Sequence, residues 1–201
     1  MSVPAYTRVG DLGSLPDLVT EEAGPNAVER IFQDQEVPLA LLDDPDAPLL
    51  YRDCLGLYSR AASMVGERSL GLRIGRDTGI SDLGLFGQYV ASAPNLEAAL
   101  IRGRDCIELH ESYSKVDFEH FGHGVRFSYR CSEQGNVGWR YHADMVLCVL
   151  VDVVRCFLGP AWVPTYIEVS YRRDRAGSDL EDHFGVPVLF DRPDAAIVFS
   201  P

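Results

Sequence analysis

Val116-Asp-Phe-Glu-His-Phe-Gly-His-Gly-Val-Arg-Phe-Ser-Tyr-Arg-Cys131 is the stretch on which the fold turns. Val116, Phe118 and His120 alternate with Asp117 and Glu119; Val125, Phe127, Tyr129 and Cys131 alternate with Arg126, Ser128 and Arg130. Successive side chains of a strand point to opposite faces, so each run carries one apolar face. Gly122-His-Gly124 supplies the turn between them. The pattern predicts a β-hairpin with one face in the core.

Upstream of residue 113 the spacing is helical. Ser14-Leu-Pro-Asp17 and Asn26-Ala-Val-Glu29 each put a capping residue three positions before an acid, and Gly24-Pro25 separates them. Asp46-Ala-Pro48 predicts the start of a longer helix with Leu50, Cys54, Leu57, Tyr58, Ala61 and Val65 on one face, ended by Gly66. Asp82 predicts the next helix start and Pro94 its end, since the residue before a proline disfavours helix. Asn95 recaps a helix to about His110.

Downstream, Gly138 to Leu158 is apolar nearly all round, the pattern of a central buried helix, and Gly159-Pro160 stops it. Asp144 and Asp152 interrupt it, with Arg140 and Arg155 at spacings that allow pairing along the helix. A strand at Tyr166–Tyr171, a short helix from Ser178 to Gly185, and strands near Val186–Phe190 and Ala195–Phe199 complete the chain. The fold class is α+β: a mostly helical part over residues 1–112, then a mixed part over 113–201 whose strands pack on the long helix.

The balance of 30 acidic against 18 basic residues gives a net charge of −12. Contacts to phosphates supply most non-specific nucleic-acid affinity, so this chain is a poor DNA binder by itself. Arg172-Arg-Asp-Arg175 is a small basic cluster, read as a solvated loop. The five cysteines form no CxxC pair and sit among apolar residues, which suggests reduced core thiols in a cytoplasmic protein. The N-terminus lacks the apolar core of a signal peptide, and Met145–Val151, the longest apolar run, is too short to span a membrane.

Catalytic and metal chemistry find little support. No Gly-x-Ser-x-Gly elbow occurs, and Leu70-Gly-Leu-Arg-Ile-Gly75 has no lysine to cradle a phosphate, so its glycines read as close packing or a helix end. His120-Phe-Gly-His123, with Glu108, His110, Glu111 and Glu119 nearby, is the place to look for a metal, but the two histidines flank a turn where side chains face water. The expectation is no metal, no cofactor and no catalytic residue. A ligand pocket is better supported, because such pockets are mostly apolar and aromatic with a few polar groups. Phe86 and Tyr89, Phe127 and Tyr129 of the hairpin, and Trp139, His142 and Met145 of the long helix are the candidate lining residues. The competing reading of these aromatics is plain core.

The segments Leu70–Gly75, Asp82–Leu100, His183-Phe-Gly-Val-Pro-Val-Leu-Phe-Asp191 and Ala195-Ala-Ile-Val-Phe199 together resemble the arabinose-binding-type N-terminal domain of AraC-family transcription regulators. The resemblance covers about residues 15–200 and implies a ligand-sensing and dimerisation domain. It would act on DNA only through a C-terminal helix-turn-helix domain that this chain lacks. The implied partners are a small-molecule effector and a second copy of the chain, with no membrane. Two competing readings stand beside it: a free-standing small-metabolite binding protein or enzyme, and a dimerisation domain that senses nothing. A cavity on the order of 300 Å3 or more would argue against the last, and a tightly filled core for it.

Overall fold

In the computed structural model, residues 4–122, 124–174 and 177–200 are described. The chain opens with β1 (Tyr6–Arg8), a 3-10 turn at Val9–Leu12, α1 (Leu15–Ala23) and α2 (Ala27–Asp34). After β2 (Pro48–Leu50) come α3 (Tyr51–Val65), α4 (Leu70–Arg76), a single turn at Ile80–Asp82, α5 (Gly84–Ala91) and α6 (Leu96–His110). The second half holds the hairpin β3 (Lys115–Phe121) and β4 (Gly124–Arg130), then α7 (Trp139–Leu158), β5 (Tyr166–Glu168), α8 (Gly177–Phe184), β6 (Val188–Leu189) and β7 (Ala195–Phe199). This is the α+β architecture that the alternating and helical spacings predict.

A five-stranded sheet runs β3-β4-β7-β5-β6, antiparallel except for the β5–β6 pair. Its register places Phe118, Phe127, Ile197, Ile167 and Val188 in one row across all five strands. Together with Val116, Tyr129 and Phe199, that row makes the sheet's apolar face, and α7 lies against it. The opposite face is held by charge: Arg126 bonds Glu168 at 2.8 Å and Asp194 at 3.1 Å, and Arg130 also bonds Asp194.

Helix α7 is buried from Trp139 to Val154 except at Arg140, Tyr141 and Asp152, which accounts for a sequence apolar on every side. The sheet covers one side of it and α3 and α4 the other. Helix α4 can approach because Gly71 and Gly75, one turn apart, turn bare backbone to it. A Cβ at Gly71 would collide with the Tyr141 carbonyl, and one at Gly75 would lie 2.6 Å from Cys148 Sγ. Gly138, at φ +93, starts α7 with its own backbone against the Leu55 carbonyl of α3.

Four local expectations are corrected. The long first-half helix begins at Tyr51, not near Asp46, because Pro48–Leu50 pairs antiparallel with Tyr6–Arg8. Asp82 caps backward: its Oδ2 accepts the Gly79 N–H at 2.8 Å, and α5 starts two residues later at Gly84. Asp144 and Asp152 take no hydrogen bond from the arginines of their own helix, although the Arg140 charge still favours the Asp144 carboxylate. Tyr171 donates to Asp144 and the Ile80 N–H to Asp152, while Arg140 pairs with Asp174 and Arg155 donates to the Trp162 carbonyl. Of the thiols, Cys54, Cys131 and Cys148 are buried, but Cys106 is half-buried and Cys156 exposed. Asn95, by contrast, caps as expected, accepting the Ala98 N–H at 2.9 Å.

Replacing Gly71 by alanine is expected to cost about 3 kcal/mol in urea unfolding, because neither the α7 backbone nor α4 can yield. Gly103 of α6 is the control. Its added Cβ would meet only Val116 Cγ1 at 3.7 Å, so Gly103→Ala should stabilise by roughly 0.5–1 kcal/mol through helix propensity.

Candidate functional site

The 3-10 turn after β1 and the C-terminus of α6 meet beneath the sheet and bring three ionisable groups together. His110 Nε2 donates to Asp11 Oδ1 at 2.8 Å. Asp11 Oδ2 accepts from the Thr7 hydroxyl and from the Arg8 N–H at 2.9 Å. Burial by itself would raise the Asp11 carboxyl, but the His110 ring and these hydrogen bonds outweigh it and hold Asp11 below the ordinary range. Burial likewise opposes charge on His110, and Asp11 reverses the balance, so the ring is the stronger base for it. The two form a buried, mutually neutralised pair.

Glu111, the next residue, has no such partner. It is 5% exposed and accepts the Tyr129 hydroxyl. Desolvation, with the Asp11 charge adding to it, pushes its carboxyl up to about 7 against the opposing pull of His110 and Tyr129. Asp11, His110 and Glu111 could each turn one ligand atom to a cation, those atoms lying within 4.8 Å of one another. In this arrangement two of them are already committed to each other.

A chain of hydroxyls leads inward from Glu111. Tyr51 OH lies 2.5 Å from Tyr129 OH and 2.6 Å from His142 Nε2. Since Tyr129 donates to Glu111, its oxygen accepts from Tyr51, whose oxygen in turn accepts His142 Nε2–H. That order leaves His142 Nδ1 a bare lone pair, and it is indeed buried without a partner. Burial lowers the His142 pKa to about 4, so the ring is neutral.

Above this polar pole lies an apolar cavity of about 50 Å3. α7 contributes Met145, Val146, Val149, Leu150 and Val153; α6 contributes Ala99, Gly103 and Ile107; the hairpin contributes Val116, Phe127 and Tyr129. Ile80, Leu83, Phe86 and Val90 close it, and Asp11 and Glu111 are its carboxylates. Leu83 and Phe86 are its half-exposed walls. Phe86 stacks on the His110 ring at 5.1 Å and also lines a surface groove with Leu85, Tyr89, Cys106 and Leu109. The mouth of the cavity is therefore the start of α5.

Of the residues expected to line a pocket, Phe86, Phe127, Tyr129 and Met145 come together here. Tyr89 is on the outer groove, with Arg102 over its ring. Trp139 stacks on Tyr129 and donates to Ser170 Oγ at 2.8 Å, and His142 lies behind Tyr51. Glu108, Glu119 and His120 are exposed, while His123 and Arg175 fall outside the described residues. Arg172 and Arg173 of the basic loop sit beside Asp191 and Glu181. Sequence reasoning did not find Asp11, and it weighed Glu111 only as a neighbour of the hairpin histidines. Nothing in the spacing joins position 11 to positions 110 and 111.

This α+β arrangement is also found in a solved protein. The solved structure of transcriptional regulator CdpR from Pseudomonas aeruginosa matches it with a TM-score of 0.54 at 18% identity, over 86% of this chain and 53% of that one. The chain thus spans about half the length of that regulator. The family model for the arabinose-binding domain of AraC transcription regulators, N-terminal, matches residues 27–201, and the chain belongs to that family. No curated protein matches it by sequence. Among the described residues no helix is long and apolar enough to cross a membrane.

Glu111 sets a pH test. Between its ordinary value near 4.5 and about 7, the folded chain holds a proton that the unfolded chain has lost, so its contribution to stability falls as pH rises through that window. Asp144, also raised by burial to about 7, acts in the same sense, and His142 in the opposite sense between about 4 and 6.5. Glu111→Gln isolates one group. Its stability relative to the unaltered chain should improve by on the order of 3 kcal/mol between pH 5 and pH 8 in urea titrations. A difference that stays flat with pH would mean that Glu111 is solvated.

Proposed function

We propose that this chain is the effector-sensing and dimerisation domain of an AraC-type transcription regulator in the cytoplasm. A small molecule in the α5–α6–α7 cavity would favour one arrangement of the domain and so change how paired helix-turn-helix domains meet their half-sites. Family membership supports the regulator role; the observation that carries the sensing role is a cavity at the heart of the core with carboxylates at one end. Catalysis has no comparable support, since the buried thiols are held protonated (Cys131 and Cys148 are pushed up to about 12).

One observation favours the competing reading of a dimerisation domain without a ligand. At about 50 Å3 the cavity is well below the roughly 300 Å3 of ordinary ligand pockets. Sensing therefore needs either a ligand of a few heavy atoms or an outward swing of Phe86. A sugar is a poor fit, because the walls are apolar over most of their extent.

Fusing residues 1–201 to the helix-turn-helix domain of an AraC-type regulator, with a two-half-site promoter driving a reporter, tests both parts. The expected result is output that depends on both half-sites and varies with growth medium, and a loss of that variation in the cavity-filling variant Gly103→Val. Sedimentation of the purified chain should show a dimer at micromolar concentration. A monomer whose fusion ignores half-site spacing would sink the reading.

A further inference from the structure

The cavity is lopsided. Its hydrocarbon walls come from α5, α6, α7 and the hairpin, and its ionisable groups lie at one end. Of these, Asp11 has His110, Thr7 and the Arg8 N–H, so its charge is met from outside the cavity. Glu111 has hydroxyl partners only. Among the described residues no arginine or lysine pairs with it, and the charged ring beside it, His110, is bonded to Asp11. A buried carboxylate whose nearest positive group is already bonded elsewhere costs free energy that a cation arriving in the cavity would recover.

We infer that the effector is a small aliphatic amine, bound with its ammonium group on Glu111 and its hydrocarbon part between Phe127, Met145, Val149 and Ile107. This rests on the sensing role proposed above. The ammonium group suits the site on two counts. It donates where Glu111 has acceptor capacity left beyond the Tyr129 and Ser114 hydroxyls, and it balances the net negative charge of Asp11, His110 and Glu111. A carboxylate ligand would instead add a second negative charge beside Glu111 and Asp11.

Size follows from volume. A cavity of about 50 Å3 has room for roughly three to five water-sized groups, which matches an amine of three to five heavy atoms. Entry is at Leu83 and Phe86, the half-exposed walls, and Phe86 moving off His110 would join the cavity to the groove of Leu85, Tyr89, Cys106 and Leu109. An amine also fixes Glu111 as the anion, and with it the direction of the Tyr129–Tyr51–His142 chain. Binding at the α6 end is thereby felt at the start of α7.

The test is calorimetric titration of the purified chain with n-propylamine and n-butylamine, beside the alcohol and the carboxylate of the same length. At pH 8 the amine should bind about tenfold or more tightly than the alcohol, and the carboxylate least. Glu111→Gln should remove that advantage, bringing amine and alcohol to similar affinity, while Gly103→Val should abolish both. In the unaltered chain amine affinity should rise from pH 6 to pH 8 as Glu111 ionises. Asp11 and Tyr129 line the same cavity, while His110 is bonded to Asp11 and Tyr51 to Tyr129 behind it. This pH readout stands even should Glu111→Gln fail to fold. Equal affinity for amine and alcohol, preference for the carboxylate, undiminished amine binding by Glu111→Gln, or no binding of any probe would each overturn the assignment. The reporter fusion, which uses no amine, would still decide the sensing role on its own terms.

Discussion

A twenty-residue helix with almost no free face is the constraint on which the rest of this molecule depends. About 30 Å of apolar cylinder must be covered on every side at once, and no single neighbouring element can do so. The five-stranded sheet takes one side. α4 takes another, and can do so only because two glycines one turn apart let its backbone come within side-chain distance of α7. α3 meets the helix start at Gly138. The cavity is what remains where α5, α6 and the hairpin arch over the same helix without filling the space between them.

Polar groups in such a core must be answered from within it. Asp144 and Asp152 take a tyrosine hydroxyl and a backbone N–H from other elements, leaving the arginines of their own helix to reach outward. Asp11 and His110 answer each other across α6 and the turn after β1. Glu111 is the exception, joined to hydroxyls and facing an apolar space, and this is why it shares its charge so poorly. A burial that costs stability and borders a cavity is the usual mark of a place kept for binding, and here the two observations fall on one side chain.

Much of the fold is legible along the chain. The hairpin appears as an alternation, α7 as a segment apolar nearly all round, and α6 as an asparagine cap followed by helical spacing; of the two readings of the Leu70–Gly75 glycines, close packing or a helix end, the structure takes the first and sets both inside α4. The two misplaced helix starts share one cause. Asp46 and Asp82 carry cap chemistry, but local preference yields when a distant segment offers a partner: β1 draws Pro48–Leu50 into a strand, and Gly79 takes the Asp82 carboxylate. Four of the seven suggested lining residues meet at the cavity because strand and helix periodicity already turned them inward. Tyr89 turned outward on a helix only half of which is covered.

The sequence by itself determined the hairpin and most of the helices around it, and that one helix must be central. These follow from spacing and local composition, which act between near neighbours. Only the tertiary structure decided where the charges stand. Positions 11 and 110, ninety-nine residues apart, become a hydrogen-bonded pair, and Glu111 is left alone beside them. Burial, distance and the local dielectric set a carboxylate's behaviour. None of the three exists until the chain has folded around it.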